Sequence, residues 1–205
     1  MGAIYHFDLQ EWINKYNLSG YLETGAGYGT SIFNALRYNF NFILSVEIDK
    51  EQTDLLNTFF RFDSRIKIIN DTSASFLTNI LPRIPKNLNC LIFLDAHFPK
   101  ADLGKASFLD ETNEDIRMPL ISELNLIKEL RIKNGCKDLI LIDDISLYDQ
   151  NGVYAYEHKH QNPNSLPRDE WMKNGIKKIM STLEDSHSSS ILSNQNGWLL
   201  FTPKI

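Results

Sequence analysis

The stretch Tyr21-Leu22-Glu23-Thr24-Gly25-Ala26-Gly27-Tyr28-Gly29 decides the fold. A short apolar run leads into three glycines at alternate positions, and a segment of helical character follows from Ser31. Glycine lets the backbone turn tightly and approach a ligand without obstruction by a Cβ atom, and the first turn of a helix offers free N–H groups. The stretch therefore predicts a strand, a ligand-binding loop and a helix, and it favours a nucleotide-like ligand.

The spacing of the glycines narrows the class of ligand. The dinucleotide fingerprint GxGxxG would need a glycine at position 30, where the chain has Thr30. The chain has GxGxG instead, with the acidic residue Glu23 two positions before the first glycine. This pattern argues against NAD. The alternative is a flexible turn whose glycines serve packing alone.

Apolar runs and helical patterns alternate along the rest of the chain. The runs at 42–46, 66–69, 91–94 and 139–142 are apolar at mostly consecutive positions, as strands buried on both faces require. One clear helical pattern follows Asp49 and has an apolar stripe of Leu55, Leu56, Phe59 and Phe60. Another covers 119–133, and weaker patterns cover 7–16, 31–38, 73–81 and 171–183.

The end of the chain departs from this alternation. Segments 190–193 and 198–201 are β-like and flank the turn sequence Asn194-Gln195-Asn196-Gly197, which predicts a hairpin. The whole pattern predicts an α/β fold with a doubly wound, Rossmann-like sheet of seven strands. Five of these strands are parallel, the C-terminal hairpin is antiparallel, and helices cover both faces.

Composition sets the broad class. With 205 residues, 42% of them apolar, the chain is expected to form a single domain over 1–205, beginning with a helical segment at 1–19. Lys and Arg number 21 against 26 Asp and Glu, which argues against a nucleic-acid partner. Cys90 and Cys136 lack metal or redox spacing, which predicts free thiols. No apolar stretch is long enough for a membrane span, and a cytoplasmic protein is expected.

Acidic residues follow the predicted strands, where open α/β sheets bind ligands. Glu47 closes the second strand, and a carboxylate there can accept hydrogen bonds from both ribose hydroxyls, although a charge beside the helix start at Asp49 is an alternative. Asp71 follows the third strand. It could accept a hydrogen bond from an adenine amino group, or it could cap the helix that begins near Ser73.

These motifs, in this order, resemble a known family. The glycine loop, Val46-Glu47-Ile48-Asp49, Asn70-Asp71 and Phe93-Leu94-Asp95 are similar to the motifs of class I S-adenosylmethionine-dependent methyltransferases. The resemblance covers about residues 20–203. It implies S-adenosylmethionine as the methyl donor, held by Glu23, Gly25, Gly27, Gly29, Glu47, Asp71 and Thr72, with Gly25 and Gly27 near its amino-acid part.

A second cluster of acids predicts a cation site. Asp95 follows the fourth strand, and Asp143 and Asp144 follow the fifth. Adjacent strand ends lie about 5 Å apart, so the three carboxylates can converge, and they would repel one another unless a cation lay between them. Oxygen ligands favour Mg²⁺ first, or else Mn²⁺ or Ca²⁺. The arrangement is similar to metal-dependent O-methyltransferases of the macrocin and catechol types.

The predicted chemistry is transfer of a methyl group to a hydroxyl of a small molecule or sugar. His97, two residues beyond Asp95, is assigned as the general base, with Asp95 as its catalytic neighbour. His97 could instead orient Asp95 or be an ordinary loop residue, and Lys100 is a further candidate base. Two long loops, 98–117 and 145–170, are expected to form the acceptor pocket. A homodimer is compatible with the resemblance.

Three rival functions remain open at this point. One is a metal-independent N-methyltransferase in which Asp95 contacts an amine and the Asp143-Asp144 pair caps loops. Another is a nucleoside-binding protein of the same fold with different chemistry. The last is a noncatalytic interaction module, which the intact glycine spacing and the acids at the strand ends disfavour.

Overall fold

The structure, a computed structural model, describes residues 4–101, 103–107, 110–148, 175–192 and 197–204. The strands are β1 (Leu18–Thr24), β2 (Phe42–Glu47), β3 (Ile66–Asn70), β4 (Asn89–Leu94), β5 (Leu139–Ile142), β6 (His187–Leu192) and β7 (Trp198–Pro203). They form one sheet in the order β3-β2-β1-β4-β5-β7-β6. β1 to β5 pair in parallel, and β7 pairs antiparallel with β5 and β6. The predicted α/β fold is confirmed.

Helices cover both faces of this sheet. They are α1 (Leu9–Tyr16), α2 (Thr30–Ala35), α3 (Lys50–Phe59), α4 (Ser73–Ile80), α5 (Glu114–Arg117), α6 (Leu120–Leu130) and α7 (Gly175–Ser181). One apolar core includes Phe76 of α4, Leu124 of α6 and Ile179 of α7. The core on the other face includes Leu9 of α1, Ile32 of α2 and Leu56 of α3. No described helix is long and apolar enough to cross a membrane.

The apolar stripe predicted for α3 is only half right. Leu56 and Phe60 are buried, whereas Leu55 is 62% exposed and Phe59 is 65% exposed. The face of α3 that packs on the sheet carries Gln52 and Thr53 besides Leu56. Gln52 is buried there because its amide donates a hydrogen bond to the Gly27 carbonyl in the glycine loop. The hydrogen bond of Gln52 therefore occupies part of the α3 face that the sequence pattern predicts to be apolar.

The helix predicted over 119–133 ends earlier than expected. α6 stops at Leu130, because Arg131 leaves the helical conformation and turns its guanidinium to the buried carboxylate of Asp138. A 3₁₀ turn follows, and Gly135, at a φ of +84°, ends it. Both charges are almost fully buried, and Asp138 also accepts a hydrogen bond from the Cys90 N–H. This ion pair ties the end of α6 to β4.

Several sequence predictions lie wholly or partly outside the described residues. These are the loop beyond 148, the first part of the helix predicted at 171–183, and most of the hairpin turn at 194–197. The hairpin strands themselves are confirmed, since β6 and β7 pair from His187 opposite Pro203 to Leu192 opposite Trp198. Cys90 and Cys136 form no disulfide, in line with the predicted free thiols, and both are buried.

Candidate functional site

A cleft of about 890 Å³, including its open mouth, lies at the carboxyl ends of the parallel strands. It lies where the strand order reverses, since the chain runs outward from β1 to β2 and β3 and then returns to β4 on the other side of β1. Such reversal points are where open α/β sheets bind ligands. The predicted residues that line the cleft are Gly25, Gly27, Glu47, Asp71, Thr72, Asp95 and His97.

The glycine loop forms one wall of the cleft. The N–H groups of Gly25 and Ala26 both donate to the carbonyl of Val46, which fixes the loop beside the end of β2. Gly25 has a φ of +81°, and a Cβ atom there would lie 2.6 Å from the Asp95 carbonyl oxygen. Only glycine fits this approach of β1 to β4. Gly29 lies behind the wall, where a Cβ would meet Leu56 at 2.8 Å.

Glu47 is held rigidly at the mouth of this loop. Its Oε2 accepts a hydrogen bond from the Gly27 N–H at 2.9 Å, and its Oε1 accepts one from the Asp49 N–H at 2.9 Å. Burial raises the pKa of the Glu47 carboxyl, and these backbone hydrogen bonds oppose the rise. Each carboxylate oxygen has a second lone pair, so Glu47 can still accept hydrogen bonds from a ligand in the cleft.

Of the two alternatives predicted for Asp71, the structure shows the contact with the start of a helix. Its Oδ1 accepts the Thr72 N–H and its Oδ2 accepts the Ser75 hydroxyl, so it stabilises the start of α4. Thr72 caps the same helix by accepting the Ser75 N–H. Both residues also line the cleft opposite the glycine loop. The helix-capping alternative is therefore observed, and the predicted contact with an adenine amino group stays a prediction.

Glu23 lies within β1, beneath the loop, and does not line the cleft. Its carboxylate is fully buried and accepts hydrogen bonds from the hydroxyls of Ser31, Ser45 and Tyr21. Burial raises the pKa of Glu23 to about 7, and the hydrogen bonds from Ser31 and Ser45 oppose the rise. The structure therefore gives Glu23 a supporting place, joining β1, β2 and α2 below the site.

We expect Glu23 to make the folded chain less stable as the pH rises. The carboxyl keeps its proton up to about pH 7 in the folded chain but only to about pH 4.5 when unfolded, so its stabilising contribution is full below pH 4.5 and lost as the pH passes 7. Relative to Glu23→Gln, the native chain should lose roughly 3 kcal/mol of unfolding free energy between these limits. Urea unfolding at pH 4.5, 6 and 8 measures this, with the exposed Glu11→Gln as control. Parallel profiles for the native chain and Glu23→Gln would contradict it.

Asp95, at the end of β4, and Asp143 and Asp144, at the end of β5, lie around His97 and are called the acidic edge. The Nδ1 of His97 lies 3.6 Å from Asp95 Oδ1 and its Nε2 lies 3.3 Å from Asp144 Oδ2. One ligand atom from each of these three residues lies within 4.8 Å of the others. Burial raises the pKa of Asp95 well above its ordinary value, and the charge of His97 opposes that rise.

Asp143 belongs to this edge, but its carboxylate bonds to the backbone of the next residue. Its Oδ1 accepts the N–H of Asp144, which has a φ of +51°. Burial and the neighbouring charge of Asp144 raise the pKa of Asp143 to about 7. The carboxylates predicted for the metal are thus brought to one edge, and within the described chain the tight three-residue group contains His97 in place of Asp143.

A buried acid that the sequence reasoning missed lies behind this edge. Glu123 of α6 is 1% exposed, and it lines a small inner cavity together with Asp95, His97 and Asp143. Burial raises the pKa of Glu123 to about 7. The available signal was a charged residue immediately before Leu124, on the apolar face of a helix that faces the core.

The described part of the loop 98–117 contributes Phe98, Pro99, Lys100, Leu103 and Ile116 to the lining of the cleft, and its predicted role in the acceptor pocket stays a prediction. Lys105 Nζ binds Asp49 Oδ1 at 2.8 Å and Glu51 Oε2 at 3.1 Å, which joins the loop to the start of α3. Lys100 lines the cleft, and its charge lowers the pKa of Asp49, although Lys105 lowers it more. The charge of Lys100 therefore acts at the end of the cleft that contains Glu47 and Asp49.

Comparison with known proteins establishes the fold. No protein-family model and no curated protein sequence matches the chain. A candidate O-methyltransferase from Klebsiella pneumoniae superposes with a TM-score of 0.58 at 14% identity, over 96% of this chain and 78% of that one. A candidate caffeoyl-CoA O-methyltransferase from Staphylococcus aureus gives 0.53 at 14% identity, over 96% and 81%. The methyltransferase domain of bacterial CtHen1-CN gives 0.53 at 12% identity, over 95% of each chain. The chain has the Rossmann-like methyltransferase fold.

Proposed function

We propose that this protein is an S-adenosylmethionine-dependent O-methyltransferase that uses a divalent cation and acts on a hydroxyl of a small molecule or sugar. The observation that carries the proposal is the cleft itself, which is lined by the glycine loop, Glu47 and Asp71 together with Asp95 and His97. One end of the cleft suits a nucleoside, and the other suits a hydroxyl bound beside a cation.

The donor side of the cleft has the chemistry that a sulfonium nucleoside requires. Glu47 is fixed by two backbone N–H groups and keeps lone pairs for the ribose hydroxyls. Gly27 lines the cleft, and a Cβ atom there would meet no protein atom within 4 Å, which leaves open space for a ligand. Asp71 lies on the adenine side. The negative charge of these residues complements the positive charge of a sulfonium donor.

The acidic edge provides what the acceptor requires. A sulfonium methyl group is already electrophilic, so the protein must align the acceptor oxygen with the carbon–sulfur bond and remove its proton. The acidic edge, which contains Asp95, Asp143 and Asp144 around His97, would hold a divalent cation, and a cation bound there would lower the pKa of the acceptor hydroxyl. The carboxylates of the edge can then take the proton. The neighbours described as O-methyltransferases are consistent with this proposal.

Binding of the donor product tests the proposal directly. S-adenosylhomocysteine at 100 times its Kd should stabilise the protein by about 2.7 kcal/mol, and NAD should not stabilise it. Glu47→Gln should weaken S-adenosylhomocysteine binding roughly 10–100-fold, because it loses charge-assisted hydrogen bonds to the ribose. Urea unfolding measures the stabilisation, calorimetric titration measures the affinity, and the exposed variant Glu11→Gln should bind like the native chain. Stabilisation by NAD alone would defeat the proposal.

A further inference from the structure

His97 completes the three-residue group with Asp95 and Asp144, in the place that the sequence predicts for the carboxylate of Asp143. Its two ring nitrogens lie 3.6 Å from Asp95 Oδ1 and 3.3 Å from Asp144 Oδ2, and its side chain is only 12% exposed. Neighbouring ligands of an ion bound at about 2.1 Å lie about 3 Å apart. Only one of the two ring nitrogens can bind a given ion, and one ligand atom from each of the three residues lies within 4.8 Å of the others, so binding one ion brings these atoms closer by up to about 2 Å.

Asp143 does not share this arrangement. Its Oδ1 accepts the backbone N–H of Asp144, and this hydrogen bond holds the residue that follows it at its left-handed conformation. Asp143 therefore positions Asp144, and it lines the inner cavity rather than the tight three-residue group. The ligand role that the sequence predicts for Asp143 is therefore assigned to the imidazole of His97.

A second observation points to a ligand on the inner side of this group. Glu123 is 1% exposed, and its Oε1 has no well-formed hydrogen bond within the described residues, although the side chains of Ser73 and Thr24 lie close enough to lower the pKa of its carboxyl. A buried oxygen left in this way costs roughly 1–3 kcal/mol. Because Glu123 lines the cavity that Asp95 and His97 also line, a metal-bound water there would satisfy the oxygen.

We propose that the cation is held by Asp95, His97 and Asp144, with Glu123 behind them as acceptor for a metal-bound water. Imidazole nitrogen favours transition metals, whereas Mg²⁺ prefers a set of oxygens only. The site therefore selects a first-row transition metal over Mg²⁺. This inference rests on the proposed function only for the use of the cation, and it makes His97 a ligand in place of the general base that the sequence predicts.

Mn²⁺ binding to the protein without donor or acceptor tests the assignment. Loss of the free Mn²⁺ signal in electron paramagnetic resonance gives the Kd, and we expect Mn²⁺ to bind at least about 10-fold more tightly than Mg²⁺ in competition. His97→Ala should weaken Mn²⁺ binding roughly 10–100-fold and Mg²⁺ binding by less than about 3-fold. Spin-echo modulation from a bound ¹⁴N nucleus should be present in the native protein and absent in His97→Ala.

Matched variants separate the possible results. His6→Ala, an exposed histidine far along the chain, should leave Mn²⁺ binding unchanged, and Asp143→Asn should weaken it less than His97→Ala. Glu123→Gln should reduce Mn²⁺ affinity while keeping the ¹⁴N signal. Absence of the ¹⁴N signal, or equal effects of His97→Ala on Mn²⁺ and Mg²⁺, would overturn the ligand assignment. Binding of S-adenosylhomocysteine by the same samples shows whether the proposed function stands or fails independently.

Discussion

Replacing Asp144 with glycine is expected to lower methyl transfer by roughly 100–1000-fold, the range that loss of several kcal/mol of charge stabilisation gives. Asp144 has a φ of +51°, so glycine removes the carboxylate without straining the backbone, whereas alanine would add strain. Asp144→Asn keeps an oxygen ligand and should fall between the native chain and Asp144→Gly. Transfer of a deuterated methyl group from S-adenosylmethionine into a pooled small-molecule extract, read by mass spectrometry, measures the effect without a known acceptor.

The same variants should leave the donor side intact. Asp144 does not line the cleft that holds the nucleoside residues, so S-adenosylhomocysteine should bind Asp144→Gly within about 3-fold of the native affinity. Asp54→Asn, on the exposed face of α3, serves as control for loss of an acidic charge. Transfer that persists in Asp144→Gly and in excess chelator, with an amine as the methylated product, would instead favour the metal-independent N-methyltransferase.

The sequence was sufficient for the fold because its signals are local. Each buried strand is a short apolar run, and the glycine loop must follow β1 since only glycine at position 25 allows β1 and β4 to approach. Parallel strands present their carboxyl ends at one edge. Glu47, Asp71 and Asp95 could therefore be assigned to one cleft from order alone, and the structure places all three there.

The finer arrangement of the acidic edge depends on information that the sequence order does not contain. Asp143 and Asp144 are adjacent, and which carboxylate faces His97 depends on the left-handed conformation of Asp144. Glu123 reaches the edge from α6, which packs on one face of the sheet and follows β4 only after the stretch 95–119. Glu23 lies only two residues before the first glycine, but side chains alternate between the two faces of a strand. Glu23 therefore points into the protein interior and does not line the cleft.

Alanine at Gly27 should separate ligand binding from folding. Gly27 has a φ of +50° and Gly135 has a φ of +84°, and a Cβ atom at either position meets no protein atom within 4 Å. Each alanine should therefore cost about 1–2 kcal/mol of unfolding free energy for its left-handed conformation. Only Gly27 lines the cleft, so only Gly27→Ala should also weaken S-adenosylhomocysteine binding, by roughly 10–100-fold, as the methyl group crowds the ligand.

Gly25 completes this comparison because its Cβ would collide with backbone rather than enter open space. Gly25→Ala loses the same unfolding free energy for its left-handed backbone conformation. It also places a carbon 2.6 Å from the Asp95 carbonyl oxygen, so β1 and β4 must move apart. We expect a loss of unfolding free energy about 2 kcal/mol larger than for Gly135→Ala, together with loss of donor binding. Urea unfolding and calorimetric titration of Gly25→Ala, Gly27→Ala and Gly135→Ala measure both quantities. If Gly27→Ala and Gly135→Ala bind S-adenosylhomocysteine equally well, the donor does not lie against the glycine loop, and the cleft has a different ligand.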